Sequence, residues 1–222
     1  MGGMQAEAEA EKRVGRSEQK RRAILQEAET LFLDRGFAGA SMEEVAIRAA
    51  VSKQTVYKQF ESKAALFVAV VQAMTSQASD RVQTEMREPE TESEVATELM
   101  GHGKRLLTIA LAPRLLRLRR LVISETDRFP ELGRALYEGG PGRAISGLAA
   151  ALRRWAEGGL LTMDDPMVAA TQFNWLVMGD PINHAMFYGS VELSESNRER
   201  HLQQSVYVFL AAYARKPKHA DI

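Results

Sequence analysis

Ser52, Lys53, Gln54, Thr55, Tyr57 and Lys58 are crowded into the stretch VSKQTVYKQF, Val51 to Phe60. Together they offer amide, hydroxyl and ammonium groups and no carboxylate. Amides pair bidentately with base edges, while ammonium and hydroxyl groups grip phosphate oxygens. On a helix at about 100° per residue, Val56 and Phe60 fall within about 40° of each other and define an inward edge. Gln54, Thr55 and Lys58 then point the other way, with Lys53 and Tyr57 on one flank. The same ten residues alone would also suit a merely solvated surface, so their neighbours decide what the face is for.

The elements that would position this face are short and closely capped. Ser41-Met42-Glu43-Glu44 reads as a capping box opening a helix through about Ala49, with Met42, Val45 and Ala49 inward. Ala50-Val51 is a turn of small apolar residues that lets two helices cross closely, and Ser52 caps the next helix. Ser62 caps a longer one, expected from Lys63 to about Arg87. Ahead of them, Ser17 is a plausible N-cap, and Ile24, Leu25, Ala28, Leu31 and Phe32 follow helical spacing up to Gly36, a C-terminal stop. Short helix, tight turn, short polar helix is the helix-turn-helix arrangement, whose second helix enters the major groove.

Charge supports this weakly. The chain of 222 residues carries 29 Lys and Arg against 29 Asp and Glu. Divided along its length, residues 11–63 hold 11 bases against 8 acids, and the rest is neutral or acidic. The positive block starts with Lys12, Arg13, Arg16, Lys20, Arg21 and Arg22. An excess of this size fits a polyanion partner or a solvated helix face. The absence of Cys excludes a disulfide framework and thiolate zinc sites. With no signal peptide in MGGMQAEAEA, a cytoplasmic location is expected, and residues 1–16 read as a flexible leader. Apolar runs stop well short of the roughly 20 residues a membrane helix needs, so no membrane partner is expected.

Beyond Glu88 helical periodicity continues with almost no strand signal, so the fold class is all-α. Helices are expected near 93–111, 113–127, 131–138, 141–157, 166–188 and 195–215. Pro113, Pro130, Gly139-Gly140-Pro141, Gly158-Gly159 and Pro166 punctuate them. The helices at 166–188 and 195–215 are apolar around much of their girth, so each is buried on more than one side.

Residues 17–70 resemble the DNA-binding domain of the TetR/AcrR family of bacterial transcriptional regulators. The resemblance rests on Gly36-Phe37, Ser41, VAIRAAVSKQTVYKQF, and Ser62-Lys63 with Leu66-Phe67. It implies an N-terminal three-helix domain at 17–77, with the helix-turn-helix at about 41–60, and a ligand-binding and dimerisation bundle at 78–222. By position it implies that Ser52, Lys53, Gln54, Thr55, Tyr57 and Lys58 face double-stranded DNA. Ser41 and Lys63 would touch phosphates from helix starts, where backbone N–H groups favour anions. Gln54 stands where many members have Gly or another small residue, and Lys58 and Gln59 where His is frequent. The operator sequence is therefore not transferable.

The second half resembles the AefR-like subgroup over LRRLVISETDRFPELGRALYEGGPGR, a likeness that names no effector. Met86, His102, Leu106, Trp155, Met163, Phe173, Met178 and Phe187 are candidates to line a pocket, or plain core. Pro181 removes one helical hydrogen bond, so Asp180 and the freed carbonyls are candidates to face a cavity, or the kink serves packing alone. Trp175, Val206 and Phe209 are candidates for a homodimer interface. Arg114 to Glu125, RLLRLRRLVISE, is a second anion site, a helix contacting the DNA-binding domain, or a solvated face with packed Arg stems.

The expected function is a ligand-responsive DNA-binding regulator, a repressor by family habit, released from a palindromic operator by a small apolar molecule. A helical adaptor and a helical-bundle enzyme are the rival classes. Against the enzyme, His102, His184, His201 and His219 are the only imidazoles, and none forms HExxH or Glu-x-x-His with the carboxylates. Asp127, Glu131, Asp164 and Asp165 make no recognisable pair, and no Ser sits in a nucleophile elbow. No catalytic residue, metal or cofactor is expected.

Overall fold

The computed structural model describes residues 2–82, 86–189 and 194–215. Ten α-helices are found there. They are α1 (Gly2–Gly39), α2 (Met42–Arg48), α3 (Lys53–Gln59), α4 (Lys63–Val82), α5 (Glu92–Ala110), α6 (Pro113–Glu125), α7 (Pro130–Tyr137), α8 (Arg143–Glu157), α9 (Pro166–Tyr188) and α10 (Glu195–Tyr213). A π-helical turn, Glu138–Gly142, joins α7 to α8. Among the described residues the extended pairing is one isolated bridge, Leu161 with Ala214. The all-α expectation holds.

The chain divides into two compact units, Met1–Met74 with Arg117–Leu136, and Thr75–Leu116 with Tyr137–Ile222. A single cut after residue 77 puts α6 and α7 in the second unit; most of both belongs to the first. Their side chains show why. The Phe129 ring lies 4.8 Å from that of Phe37, and Arg117 reaches Asp34 at 3.9 Å. Of the readings open for Arg114–Glu125, contact with the first unit is the one these pairs support.

In the first unit Ile24, Ala28, Leu31 and Phe32 of α1 are buried as one stripe. Phe32, Phe37 and Phe67 form a ring cluster with centroids 4.6 to 6.1 Å apart. Gly36 stops regular helix with φ 72° and ψ 177°, a region essentially reserved for glycine, and one further turn follows it. The start of α1 differs from expectation. Ser17 lies inside the helix instead of capping it, because strong helix formers in AEAEAEKR continue the pattern upstream. α4 is described as far as Val82, and residues 86–89 are not helical. The expected extension to Arg87 also ran through residues 83–85, which lie outside the described residues, as does His219.

In the second unit α5, α8, α9 and α10 share a core containing Leu99, Leu107, Leu152, Trp155, Phe173 and Phe209. Gly103 permits the close approach of α5 to α10, since a Cβ there would come 2.8 Å from Leu202 Cδ2. Pro181 sits inside an α9 that continues to Tyr188. Lacking an N–H, it leaves the Val177 carbonyl four residues back without its helical donor. That carbonyl does not face a cavity. It accepts from His201 Nε2 of α10 at 2.8 Å, and Ser205 Oγ donates to the Leu176 carbonyl at 3.2 Å. The proline break thus becomes a helix–helix bond.

Candidate nucleic-acid interface and ligand cavity

The α2–α3 crossing is set by its caps. Ser41 Oγ accepts from the Glu44 N–H at 3.1 Å, but the Glu44 carboxylate turns away to Arg35 at 2.9 Å and Arg48 at 3.0 Å. Only half of the capping box forms; its acid ties α2 to α1. Past α2, Ala50 takes φ 52°, while Val51 N–H donates to Ala46 O and Ala50 N–H to Ile47 O. That pair of bonds is a Schellman ending, unusual in carrying alanine at the left-handed position. It turns the chain directly into Ser52, whose Oγ accepts from Thr55 N–H at 3.1 Å and meets the Thr55 hydroxyl at 2.8 Å.

Val56 and Phe60 are buried, as the register required, although Phe60 itself has extended backbone and closes α3. The Arg21 guanidinium lies 4.4 Å from the Phe60 ring centre. Lys53, Gln54, Tyr57 and Lys58 are exposed together, and Thr55 is half-buried. Gln59 is spent internally, donating from Nε2 to Ser17 Oγ at 2.9 Å.

Two residues differ from the simplest picture. Lys63 directs its ammonium inward, donating to the carbonyls of Ala40 at 2.8 Å and Ala38 at 3.4 Å, over the Phe37 ring. Its charge holds the end of α1, leaving only its helix-start N–H for a phosphate. Lys53 is ion-paired with Glu43 of α2. The hydrogen bond from Lys53 holds the Glu43 carboxyl below the usual range, and the same bond raises Lys53. The outer face of α3 is acid-free in sequence, yet α2 supplies an acid beside it. Reading α3 alone misses Glu43; its position two residues past the Ser41 cap was the available signal.

The second unit holds a cavity of about 740 Å³. Val82, Met86, Ala144, Leu148 and Ala151 give it apolar walls, and His102, Arg87, Glu88 and Arg154 supply polar groups. Of the expected pocket residues, Met86 and His102 are among these. Leu106, Trp155, Phe173 and Met178 are instead buried in the core, with Met163 packed against it. Asp180 and Phe187 lie on the exposed surface, Phe187 at 82%. Much of the wall comes from α8, where Trp155 was the one candidate, rather than from α9.

The expected interface residues also divide. Trp175 is 43% exposed, but Val206 and Phe209 point into the unit's own core. The outward apolar residues of these helices include Met167, Val168, Trp175, Leu176, Phe187 and Tyr188 on α9, and Tyr207 and Val208 on α10. The Ser205–Leu176 bond brings Leu176 of α9 beside the stretch of α10 that carries Tyr207 and Val208. Among the described residues no helix is long and apolar enough to cross a membrane, and no His, Asp and Glu side chains gather as a metal site would need.

Comparison with known proteins agrees with the helix-turn-helix geometry. The family described as bacterial regulatory proteins, tetR family, matches residues 24–70. The AefR-like transcriptional repressor C-terminal domain matches residues 97–215, more than half of the chain. The chain belongs to the tetR family. Its regulators bind DNA and usually act as dimers, and they are not enzymes, which removes that rival class. A solved tetR-family structure from Mesorhizobium loti MAFF303099 is 40% identical over 90% of this regulator and 98% of that chain, with a TM-score of 0.83. The Flavonoid-responsive Regulator FrrA is 30% identical over 89% and 98%, with a TM-score of 0.76. Curated relatives match over less of their length. The HTH-type transcriptional activator FasR of Mycolicibacterium smegmatis is 44% identical over 25% of this regulator and 25% of FasR. The HTH-type regulator YdeS of Bacillus subtilis is 35% identical over 41% of this regulator and 42% of YdeS.

Proposed function

We propose that this tetR-family regulator is a homodimeric repressor in the cytoplasm, released from a pseudo-palindromic operator by a small, mainly apolar effector. The observation that carries the DNA part is the exposure of Lys53, Gln54, Tyr57 and Lys58 on one side of α3, while Val56 anchors the other. Gln54 and Lys58 read base edges, and Tyr57 and Lys53 hold phosphates. Ser52 and Thr55 contribute mainly by capping, since their hydroxyls already engage each other. Ser41 and Lys63 offer helix-start N–H groups to the backbone. Two-fold symmetry then calls for half-sites about one helical turn, or a multiple, apart. Repression follows the description of the family matched over residues 97–215; the similarity to the activator FasR spans only 55 residues and says little about the regulatory half.

The cavity is the effector site in this reading. Its apolar walls favour an apolar, aromatic body, in keeping with the flavonoid response that FrrA's name records for that protein. Val82 ends α4 at the cavity, and the same helix begins in the first unit, so occupancy is felt along α4. Effector and operator must weaken each other by the same factor, because binding coupling is reciprocal. A coupling of about 3 kcal/mol gives roughly a hundredfold loss of operator affinity. Operator selection from random duplexes, then operator titration with each hit from a thermal-shift library, tests both parts. A selection that enriches nothing removes the DNA reading; effectors that bind without changing operator affinity remove the switch.

The Glu43–Lys53 pair sets a further expectation. Lys53 must leave or share Glu43 to reach a phosphate, and the free carboxylate would then repel the backbone. Glu43→Gln is expected to tighten binding to every duplex by about two- to fivefold, with little change in sequence preference. Fluorescence anisotropy on operator and scrambled duplexes at two salt concentrations checks this.

A further inference from the structure

The geometry points to His102 as the residue that selects the effector, hydrogen-bonding a neutral hydroxyl on an otherwise apolar, aromatic molecule. This rests on the cavity being the effector site. His102 lines the cavity yet is only 4% exposed, and among the described residues no group hydrogen-bonds its ring. Its one aromatic neighbour is Phe173, with centroids 6.3 Å apart and planes inclined by 46°. Buried polar side chains are normally satisfied, so each exception asks for a reason. His201 shows the ordinary outcome in the same unit: its Nε2 finds the Val177 carbonyl.

The chemistry of the partner follows from the ring's surroundings. Burial, and secondarily the nearby Arg105 charge, lower the His102 pKa to about 4. Near neutral pH the ring is therefore an uncharged imidazole with one N–H donor and one bare nitrogen acceptor. A hydroxyl is the small neutral group that can answer either nitrogen. A carboxylate would meet a neutral ring among Val82, Met86, Leu148 and Ala151, and the nearby Arg105 is the charge that would have to offset its desolvation, which the acid arm of the titration below decides. Arg154 is already paired with Glu88 at 2.5 Å, both about half-exposed, and Arg87 is exposed. An anion held by Arg87 would leave His102 unanswered.

Calorimetric titration of the full chain with flavone, 6-hydroxyflavone and flavone-6-carboxylic acid tests the assignment. The hydroxyl compound is expected to bind at least about tenfold more tightly than flavone. His102→Leu should erase that preference, read as the ratio of the two affinities. His102→Gln, which keeps a donor and an acceptor, should retain part of the preference and covers the case in which the Leu variant fails to fold. Equal binding of flavone and 6-hydroxyflavone, tighter binding of the acid, or a preference that survives in both variants overturns the role of His102. Binding by none of the three overturns the ligand class. The broader reading stands or falls separately, on whether any thermal-shift hit changes operator affinity.

Discussion

Replacing Gln54, Tyr57 and Lys58 together by Ala is expected to leave a folded protein that no longer distinguishes its operator from random duplex. All three side chains are exposed on α3, so the helix should remain seated through Val56 and Phe60. Among the described residues Gln54 and Lys58 have no hydrogen-bond or ion-pair partner to lose. A good bidentate base contact is worth about 1–3 kcal/mol of discrimination, so loss of Gln54 and Lys58 alone removes roughly two orders of magnitude or more. Loss of the Tyr57 hydroxyl weakens all duplexes alike. Ser52→Ala should behave differently, lowering stability by about 1 kcal/mol through its lost cap and altering preference little. Anisotropy titrations on operator and scrambled duplexes, with thermal melts of each variant, separate these outcomes. A folded triple variant with undiminished preference would move recognition off α3.

The contrast between Ser52 and Gln54 shows what local sequence can reveal. Caps and punctuation act within one turn of chain, so Ser41, Ser52, Ser62 and the prolines at 113 and 166 made most helix starts legible. The inward register of α3 was legible for the same reason, because Val56 and Phe60 are its only large apolar side chains. What escaped depends on a second element. Glu43 matters to Lys53 only once α2 crosses α3, and Lys63 turns inward only because the end of α1 presents two carbonyls. The Val177 carbonyl freed by Pro181 was foreseeable; its capture by His201 was not, since 24 residues separate the partners. Residue type also fails to separate cavity wall from core. Met86 and His102 line the cavity, whereas Trp155 and Phe173, equally suited by composition, fill space.

The phase of α10 is written in its own sequence, and it decides how the dimer is tested. Leu202, Ser205, Val206 and Phe209 are buried at helical spacing, so the neighbouring Tyr207 and Val208 must face outward. Glu at Val206 or Phe209 would bury an unpaired charge and damage the fold itself, and any monomer obtained that way would be uninformative. Tyr207→Glu combined with Val208→Glu, with Trp175→Glu as an independent variant on α9, places charge on the exposed apolar surface instead. These variants are expected to keep the parent's helicity and melting temperature but run as monomers in light scattering. Losing the link between two recognition helices removes the gain from simultaneous binding, so affinity for a palindromic operator should fall by about 10²–10⁴-fold. A duplex carrying one half-site should bind variants and parent monomer alike, because α3 is untouched. A dimeric double variant would place the interface elsewhere on the molecule, and a parent chain that is monomeric at micromolar concentration would end the two-fold operator argument.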